Sequence, residues 1–341
     1  MKAVPVQDAV GMVLCHDITQ IIPGKAKDAA FKKGHIITKE DIPLLLDIGK
    51  AHIYVWDLAD GFVHEDDAAL RISQAVAGKG LRLTSPKEGK IEFVAEYTGL
   101  LKINKDALYE INSIPDIMLA TIHTNQRVEK DKRIGGTRII PLVINDASLK
   151  QVEEIGRRFA PVVEIKPFKE NVKIGVVTTG SEVYHGRIKD AFGPVLKGKA
   201  EYYGCKVTEQ IFADDNIEQI TSAVFSLIDK GADVVMLTGG MSVDPDDVTP
   251  ASIRNTGAEV ITYGAPVLPG AMFMLAYLGD AILMGLPGCV MYSRTTVFDI
   301  VFPLILAGER PTKADLIQYA YGGFCLNCEV CTYPNCGFGK P

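Results

Sequence analysis

LTGGMSVDPDDVTP (237–250) is the stretch whose reading decides the fold. The residues before and at its start, DVVML (233–237), form an apolar run that reads as a short buried strand. At its end, Thr249-Pro250 writes a helix start, a capping residue followed by proline at the first helical position. Between them lie Gly239-Gly240 and three acids, Asp244, Asp246 and Asp247. Glycines at such a turn let a ligand approach the backbone, and amides near a helix N-terminus suit phosphate. Carboxylates beside a phosphate require a cation or another donor between them. The loop therefore reads as a site for a phosphate-containing ligand, with a metal to assist.

The same strand-to-helix pattern extends in both directions. NVKIGVV (171–177) is a β-branched run ending in the polar turn TTGSE (178–182). A helix through 195–203 follows Pro194 and stops at Gly204, and CKVTEQIF (205–212) reads as a strand. Asp214-Asp215-Asn216 supplies caps for a helix over 217–230, with Ile217, Ile220, Val224, Leu227 and Ile228 on one face. Strands follow at 258–263, 272–278 and 281–286, the last two joined by a tight turn at Gly279-Asp280. LPG (286–288) then leads into a long apolar helix expected over roughly 290–307. The fold class is α/β: a mainly parallel sheet with helices on both faces. Ligands bind such sheets at the carboxyl ends of the strands, where TTGSE, TGGMSVDPDD and LPGC would converge.

The first 170 residues are expected to hold one or two small α+β modules. Helices are expected near 39–48, over 65–78 and over 148–158, and strands to Val55, over 91–103 and over 135–144. The stretch 113–128 is ambiguous, and no internal repeat or low-complexity tract is evident. The expected domains are 1–60, 61–168, 169–310 and a cysteine-rich tail over 311–341.

A chain of 341 residues with 47% hydrophobic and 23% charged residues has the balance of an ordinary globular protein. A formal charge of −6, without a long basic run, argues against a general nucleic-acid binder. The N-terminal residues lack a signal-peptide layout, and TTVFDIVFPLILAG (295–308) is too short and too interrupted to span a bilayer. No membrane association is expected, and the cytoplasm is the expected compartment. Of seven cysteines, Cys15, Cys205 and Cys289 are scattered, and four crowd into the last seventeen residues.

TGG followed by seven residues ending in Asp247, and then Val248-Thr249-Pro250, resembles the signature of the MoeA/MogA superfamily, the molybdopterin-binding proteins of molybdenum cofactor biosynthesis. The resemblance covers about 172–308 well and 1–57 loosely. It implies a ligand site drawn from Thr179, Gly180 and Ser181, from Asp190 and Asp214, from Thr238, Gly239, Gly240, Met241 and Ser242, and from Pro287 and Gly288. Its ligand would be molybdopterin or its adenylylated form. Asp247 and Glu182 would hold Mg²⁺ or orient a water, with Gly239, Gly240 and Ser181 on phosphate oxygens.

Three departures bear on activity. Ser181 stands where the family's Thr-Gly-Asp-Glu loop has Asp, and Cys289 where it has the Asn of Leu-Pro-Gly-Asn-Pro. Pro269-Gly270-Ala271-Met272 stands where molybdate-inserting members carry Pro-Gly-Lys-Pro, so the lysine that would hold an oxyanion is missing. The resemblance implies an enzyme of cofactor biosynthesis, a molybdotransferase or an adenylyltransferase-like activity, or a non-catalytic carrier delivering the cofactor to a molybdenum enzyme. A nucleotide pyrophosphatase of the competence-damage-inducible type is the alternative. The family also implies a homo-oligomer, a dimer or trimer.

GGFCLNCEVCTYPNCGFGKP (322–341) carries Cys325-x2-Cys328-x2-Cys331-x4-Cys336. Four thiolates within twelve residues suit a tetrahedral Zn²⁺ site or an iron–sulfur cluster. A reducible tail, or a redox pair at Cys328 and Cys331, is the other reading.

Overall fold

The computed structural model describes residues 2–22, 26–55 and 61–340, so the expected boundary at residue 60 lies outside the described residues. Two compact units are present. One comprises Met1–Glu96, Ile103–Ile122 and Lys130–Ile165; the other comprises Tyr97–Lys102, His123–Glu129 and Lys166–Pro341.

In the first unit, Leu81–Leu83, Ile91–Ala95, Arg133–Ile139 and Ile117–Thr121 form an antiparallel four-stranded sheet in that order. The helices Glu65–Val76 and Asp146–Phe159 pack together, the first also against the Arg133–Ile139 strand. Nearer the N-terminus, Val6, Leu14, Leu45 and Ile53 close a separate core around the helix Asp41–Asp47. The run 91–103 makes two strands rather than one, because bends at Glu96–Thr98 break it. The ambiguous stretch 113–128 holds two strands, Ile117–Thr121 and Gln126–Val128.

The second unit is built on a six-stranded sheet. In chain order its elements are β1 (Lys173–Thr179), α1 (Ser181–Tyr184), α2 (Phe192–Tyr202), β2 (Lys206–Ala213), α3 (Ile217–Asp229) and β3 (Val234–Thr238). Then come α4 (Thr249–Asn255), β4 (Glu259–Tyr263), β5 (Met274–Leu278), β6 (Ala281–Leu286) and α5 (Val297–Leu306). The sheet order is β2-β1-β3-β6-β5-β4. The first four strands are parallel, and β5 and β4 join antiparallel at one edge.

Alternation along the central strands explains the two layers. Ile174, Val176 and Met236 face one core with Phe298, Phe302 and Leu306 of α5. Val177, Val235 and Leu237 face the other with Ile220, Val224 and Leu227 of α3 and Ile253 of α4. Strands buried on both faces must be apolar at successive residues, as β1 and β3 are. Phe298 and Phe302 stack with centroids 4.8 Å apart, each fully buried. Burial of one such ring stabilises the fold by about 1.5–3 kcal/mol. Phe338, from the tail, belongs to the same core.

Two helix starts differ from the sequence expectation. Thr249 lies inside α4, where it does not cap: its hydroxyl donates instead to the Gly239 carbonyl at 2.8 Å. The apolar helix expected from about 290 starts at Val297, after a short 3₁₀ turn over Gly288–Met291. Thr296 and Asp299 form a reciprocal capping box there, which satisfies orphan amides that an earlier start would leave unpaired. Among the described residues, no helix is long and apolar enough to cross a membrane.

Candidate functional site

The carboxyl ends of β1, β2 and β3 open on one cavity of about 980 Å³. Thr179, Gly180, Ser181 and Glu182 line it from the end of β1, Asp214 and Asp215 from the end of β2, and Gly239, Gly240, Asp244, Asp246 and Asp247 from the loop after β3. Met291 reaches it from the segment after β6.

The loop after β3 is held by hydrogen bonds that only this backbone permits. Gly239 has φ +87°, and a Cβ there would lie 2.3 Å from the Thr179 carbonyl oxygen. The left-handed turn brings the Gly239 and Gly240 carbonyls to Thr249, which donates its hydroxyl to the first and its N–H to the second at 3.1 Å. The buried Thr179 and Thr249 hydroxyls lie 3.2 Å apart. Across the acidic turn, the Asp244 N–H donates to the Asp247 carboxylate at 3.3 Å, and the Asp247 N–H to the Asp244 carbonyl at 3.0 Å. Tyr263 donates its hydroxyl to the Met241 carbonyl at 2.9 Å, which ties the same loop to β4.

Electrostatically the cavity is strongly negative. Glu182, Asp214, Asp215, Asp244, Asp246 and Asp247 line it, with Lys189 the one Lys or Arg among the described lining residues. Burial, with the charges of Glu182, Asp214 and Asp246 added, pushes the Asp215 carboxyl above its ordinary value, although Ser181 donates its N–H to it at 2.9 Å. Asp214 is held below its ordinary value, chiefly by the Asp215 N–H at 3.0 Å. His185 lies 3.4 Å from the Asp214 carboxylate.

Not every residue singled out in the sequence faces this space. Asp190 accepts from the Phe192 and Gly193 amides and from Gln210 at 2.7 Å, so it organises the start of α2. Thr238 and Met241 are buried, and Met241 packs on Gly285. Ser242 lies outside the lining, its carbonyl taken by Tyr263. Pro287 and Gly288 do not line the cavity, whereas Met291, three residues on, does. Ala191, Phe192 and Met291 line the cavity without having been singled out for the site in the sequence.

A second cavity of about 780 Å³ is lined by all four tail cysteines, Cys325, Cys328, Cys331 and Cys336, together with Tyr292–Thr295. The thiols are free, and Cys328 is exposed. Among the described residues, no three His, Cys, Asp or Glu side chains already converge in metal-holding geometry.

Two family models match the chain. Residues 3–57 match a domain of unknown function, and residues 175–307 match the model described as a probable molybdopterin binding domain. Residues 175–307 are a domain of the molybdopterin-binding superfamily. The matched range runs from inside β1 to the end of α5 and contains every residue lining the acidic cavity. The molybdopterin molybdenumtransferase of Haemophilus influenzae is 30% identical over 161 residues, which cover 45% of this chain and 39% of that protein. The molybdopterin molybdenumtransferase of Synechococcus elongatus is 22% identical over 160 residues, covering 44% and 40%. The chain thus spans about two fifths of the length of these relatives. The solved structure of the molybdopterin biosynthesis enzyme MoaB from Thermus thermophilus aligns with 40% of this chain and 98% of that one, at 17% identity and a TM-score of 0.34. In the molybdopterin-binding domain of this chain, Ala271 is not among the residues lining the acidic cavity.

Proposed function

We propose that the acidic cavity binds molybdopterin or its adenylylated form together with Mg²⁺, and that the chain acts in molybdenum cofactor biosynthesis or delivery. One observation carries this reading. Three strand ends converge on a space of about 980 Å³ in which six carboxylates face one lysine. An anionic phosphate enters such a space only with a cation, and Mg²⁺ is held by one or two carboxylates plus substrate phosphates rather than by a full protein cage. That donor set fits the group: Glu182 and Asp247, which both line the cavity, would share the ion, and the amides beside Gly239 and Gly240 would donate to phosphate oxygens.

If adenylylated pterin is turned over, a water oxygen adds to phosphorus, the phosphoanhydride breaks, and AMP leaves with the other phosphate retained on the pterin. In that step Asp247 would orient the water, whose protons pass to solvent, and a Mg²⁺ held with Glu182 would supply charge stabilisation. A carrier is the second reading; Ala271 stands where molybdate-inserting members carry lysine, although it lies outside the cavity lining. Delivery to a recipient molybdenum enzyme, a dimeric or trimeric assembly and a cytoplasmic location belong to the same proposal, as does the division at residues 60, 168 and 310. The tail thiols, as a Zn²⁺ or iron–sulfur site, complete it.

The test is anaerobic binding of molybdopterin and its adenylylated form to wild type and Asp247→Asn, with AMP followed in the same tube. Binding with AMP release, lost in the variant, is the result expected of an enzyme. Binding without release assigns the carrier role. Absence of pterin binding in the presence of Mg²⁺ overturns the proposal.

A further inference from the structure

The four-cysteine segment is anchored to the fold along its length. The Cys325 N–H donates to the Leu268 carbonyl at 2.8 Å, and Leu268 and Phe324 form a parallel bridge. Tyr333 donates its hydroxyl to the Asp299 carbonyl at 3.0 Å. The Gly339 N–H donates to the Gly322 carbonyl at 2.8 Å, which closes the segment on itself, and Phe338 is buried in the core beneath. The thiols therefore sit on a braced loop.

The wall opposite that loop is Tyr292–Thr295, and Thr295 Oγ1 lies 3.4 Å from Cys331 Sγ. Asn327, with φ +51°, turns its N–H onto Cys325 Sγ at 3.5 Å. Amide donors to sulfur of this kind stabilise metal-bound thiolates. Two cations stand near the thiols. Arg294 lines the cavity, and the buried Lys340 donates to the Pro334 carbonyl and to Gln126 at 3.2 Å. Phe324 and Leu326 add apolar walls.

Spacing and cavity size together favour a cluster over a single ion. A four-cysteine zinc site is made from two well-separated pairs that close from opposite sides, with each sulfur about 2.3 Å from one ion. Here three thiols follow one another at x2 steps and the fourth follows after x4, so the pairs Cys325/Cys328 and Cys331/Cys336 are separated by only two residues on one short segment, not by the long intervening stretch of a zinc ribbon. Consecutive x2 steps are instead the run by which ferredoxin loops hold three corners of one cubane; the last step here is one residue longer and no proline follows Cys336, and the shared cavity is what places Cys336 with the other three. A cavity of about 780 Å³ also has room for a polynuclear group. We propose that Cys325, Cys328, Cys331 and Cys336 ligate a [4Fe–4S] cluster in the cavity walled by Tyr292–Thr295. This assignment deepens the metal part of the functional proposal and stands independently of pterin binding.

The experiment is anaerobic reconstitution of the full chain with ferrous iron and sulfide, read by metal analysis, visible charge-transfer absorption and electron paramagnetic resonance after dithionite. About four iron and four sulfide per chain are expected. Cys328→Ser, at an exposed position, and Cys331→Ser are each expected to lose the absorption and the resonance signal. Cys289→Ser, outside the four, is expected to keep both. Urea midpoints of the iron-free variants, unchanged from iron-free wild type, separate ligand loss from misfolding. One Zn²⁺ per chain displacing iron, no metal uptake, or iron uptake unaffected by both tail variants would each overturn the assignment. None of these readouts uses pterin, so failure of the cluster and failure of the pterin site are distinguishable.

Discussion

Gly239→Ala tests whether the left-handed turn against β1 builds the acidic cavity, and Gly257→Ala is its matched control. The two glycines have similar φ, +87° and +78°. They differ in what a Cβ meets. At Gly239 it lies 2.3 Å from the Thr179 carbonyl oxygen, 2.7 Å from Thr179 Oγ1 and 2.9 Å from the carbonyl carbon, whereas at Gly257 nothing lies within 4 Å. Each substitution incurs about 1–2 kcal/mol for an L-residue in the left-handed region. Each also recovers about 0.4–1 kcal/mol by restricting the unfolded chain, a gain that cancels in the comparison. Only Gly239→Ala adds a collision with backbone, and Thr179 cannot withdraw because β1 is registered to β2 and β3. Forced overpacking of this kind costs about 1–3 kcal/mol.

The stability gap between the two variants is therefore about 1–3 kcal/mol, or about 2–12 °C in Tm at ~2–4 °C per kcal/mol for a body of this size. Urea and thermal unfolding of the full chain measure it, with m-values checking that both variants unfold the same surface. Pterin affinity should fall in Gly239→Ala and hold in Gly257→Ala. Equal losses of stability in the two variants would refute the claim that the close approach to β1, rather than φ alone, requires glycine.

Two further outcomes follow from charge. Asp215 titrates above its ordinary value of 3.8 because it is partly buried and faces the charges of Glu182, Asp214 and Asp246. A carboxyl raised in the folded state contributes stability that is present below 3.8 and lost as pH climbs through the raised value. A bound cation needs the ionised form, so Mg²⁺ affinity should climb with pH across the same window and then level. Calorimetric titration of wild type and Asp215→Asn checks this, with a flattened climb expected in the variant and an identical slope counting against it. Lys199 donates to both Asp299 carboxylate oxygens at 2.8 Å, and both side chains are nearly buried. Lys199→Met should cost about 3–5 kcal/mol by leaving Asp299 unpaired, and Lys199→Met with Asp299→Asn should regain part of it. A loss under 1 kcal/mol in the urea midpoint of the single variant would count against the pair as a structural tie.

Much of the second unit was legible because a parallel strand covered on both faces must be apolar at consecutive positions, as Val234, Val235, Met236 and Leu237 are. Polar turns then mark where each strand ends, which is why the convergence of TTGSE and TGGMSVDPDD is legible in the sequence. What the spacing did not carry was direction. Asp214 and Asp215 are neighbours at a strand end, and only the folded turn puts Asp215 under the Ser181 amide. Asp190 lay equally well in the pattern and is drawn to Gln210 and the start of α2. The start of α5 was misplaced because Val290 and Met291 continue the apolar pattern. The Thr296-x-x-Asp299 capping signal was present and outweighs it.

That misplaced start has a functional consequence. A helix from residue 290 would have taken Met291–Thr295 into regular hydrogen bonding and left neither cavity complete. Because the capping box delays α5 to Val297, a 3₁₀ turn and bends occupy the segment, and it serves twice: Met291 lines the acidic cavity and Tyr292–Thr295 line the cysteine cavity. Lys199 fixes it from α2 by holding the Arg294 carbonyl at 3.1 Å and the Asp299 carboxylate at the same time. The cysteine before it, Cys289, replaces the residue that would continue the Leu-Pro-Gly turn in the family this domain resembles, and the whole segment departs from that turn. The departure and the four-cysteine loop meet at one wall.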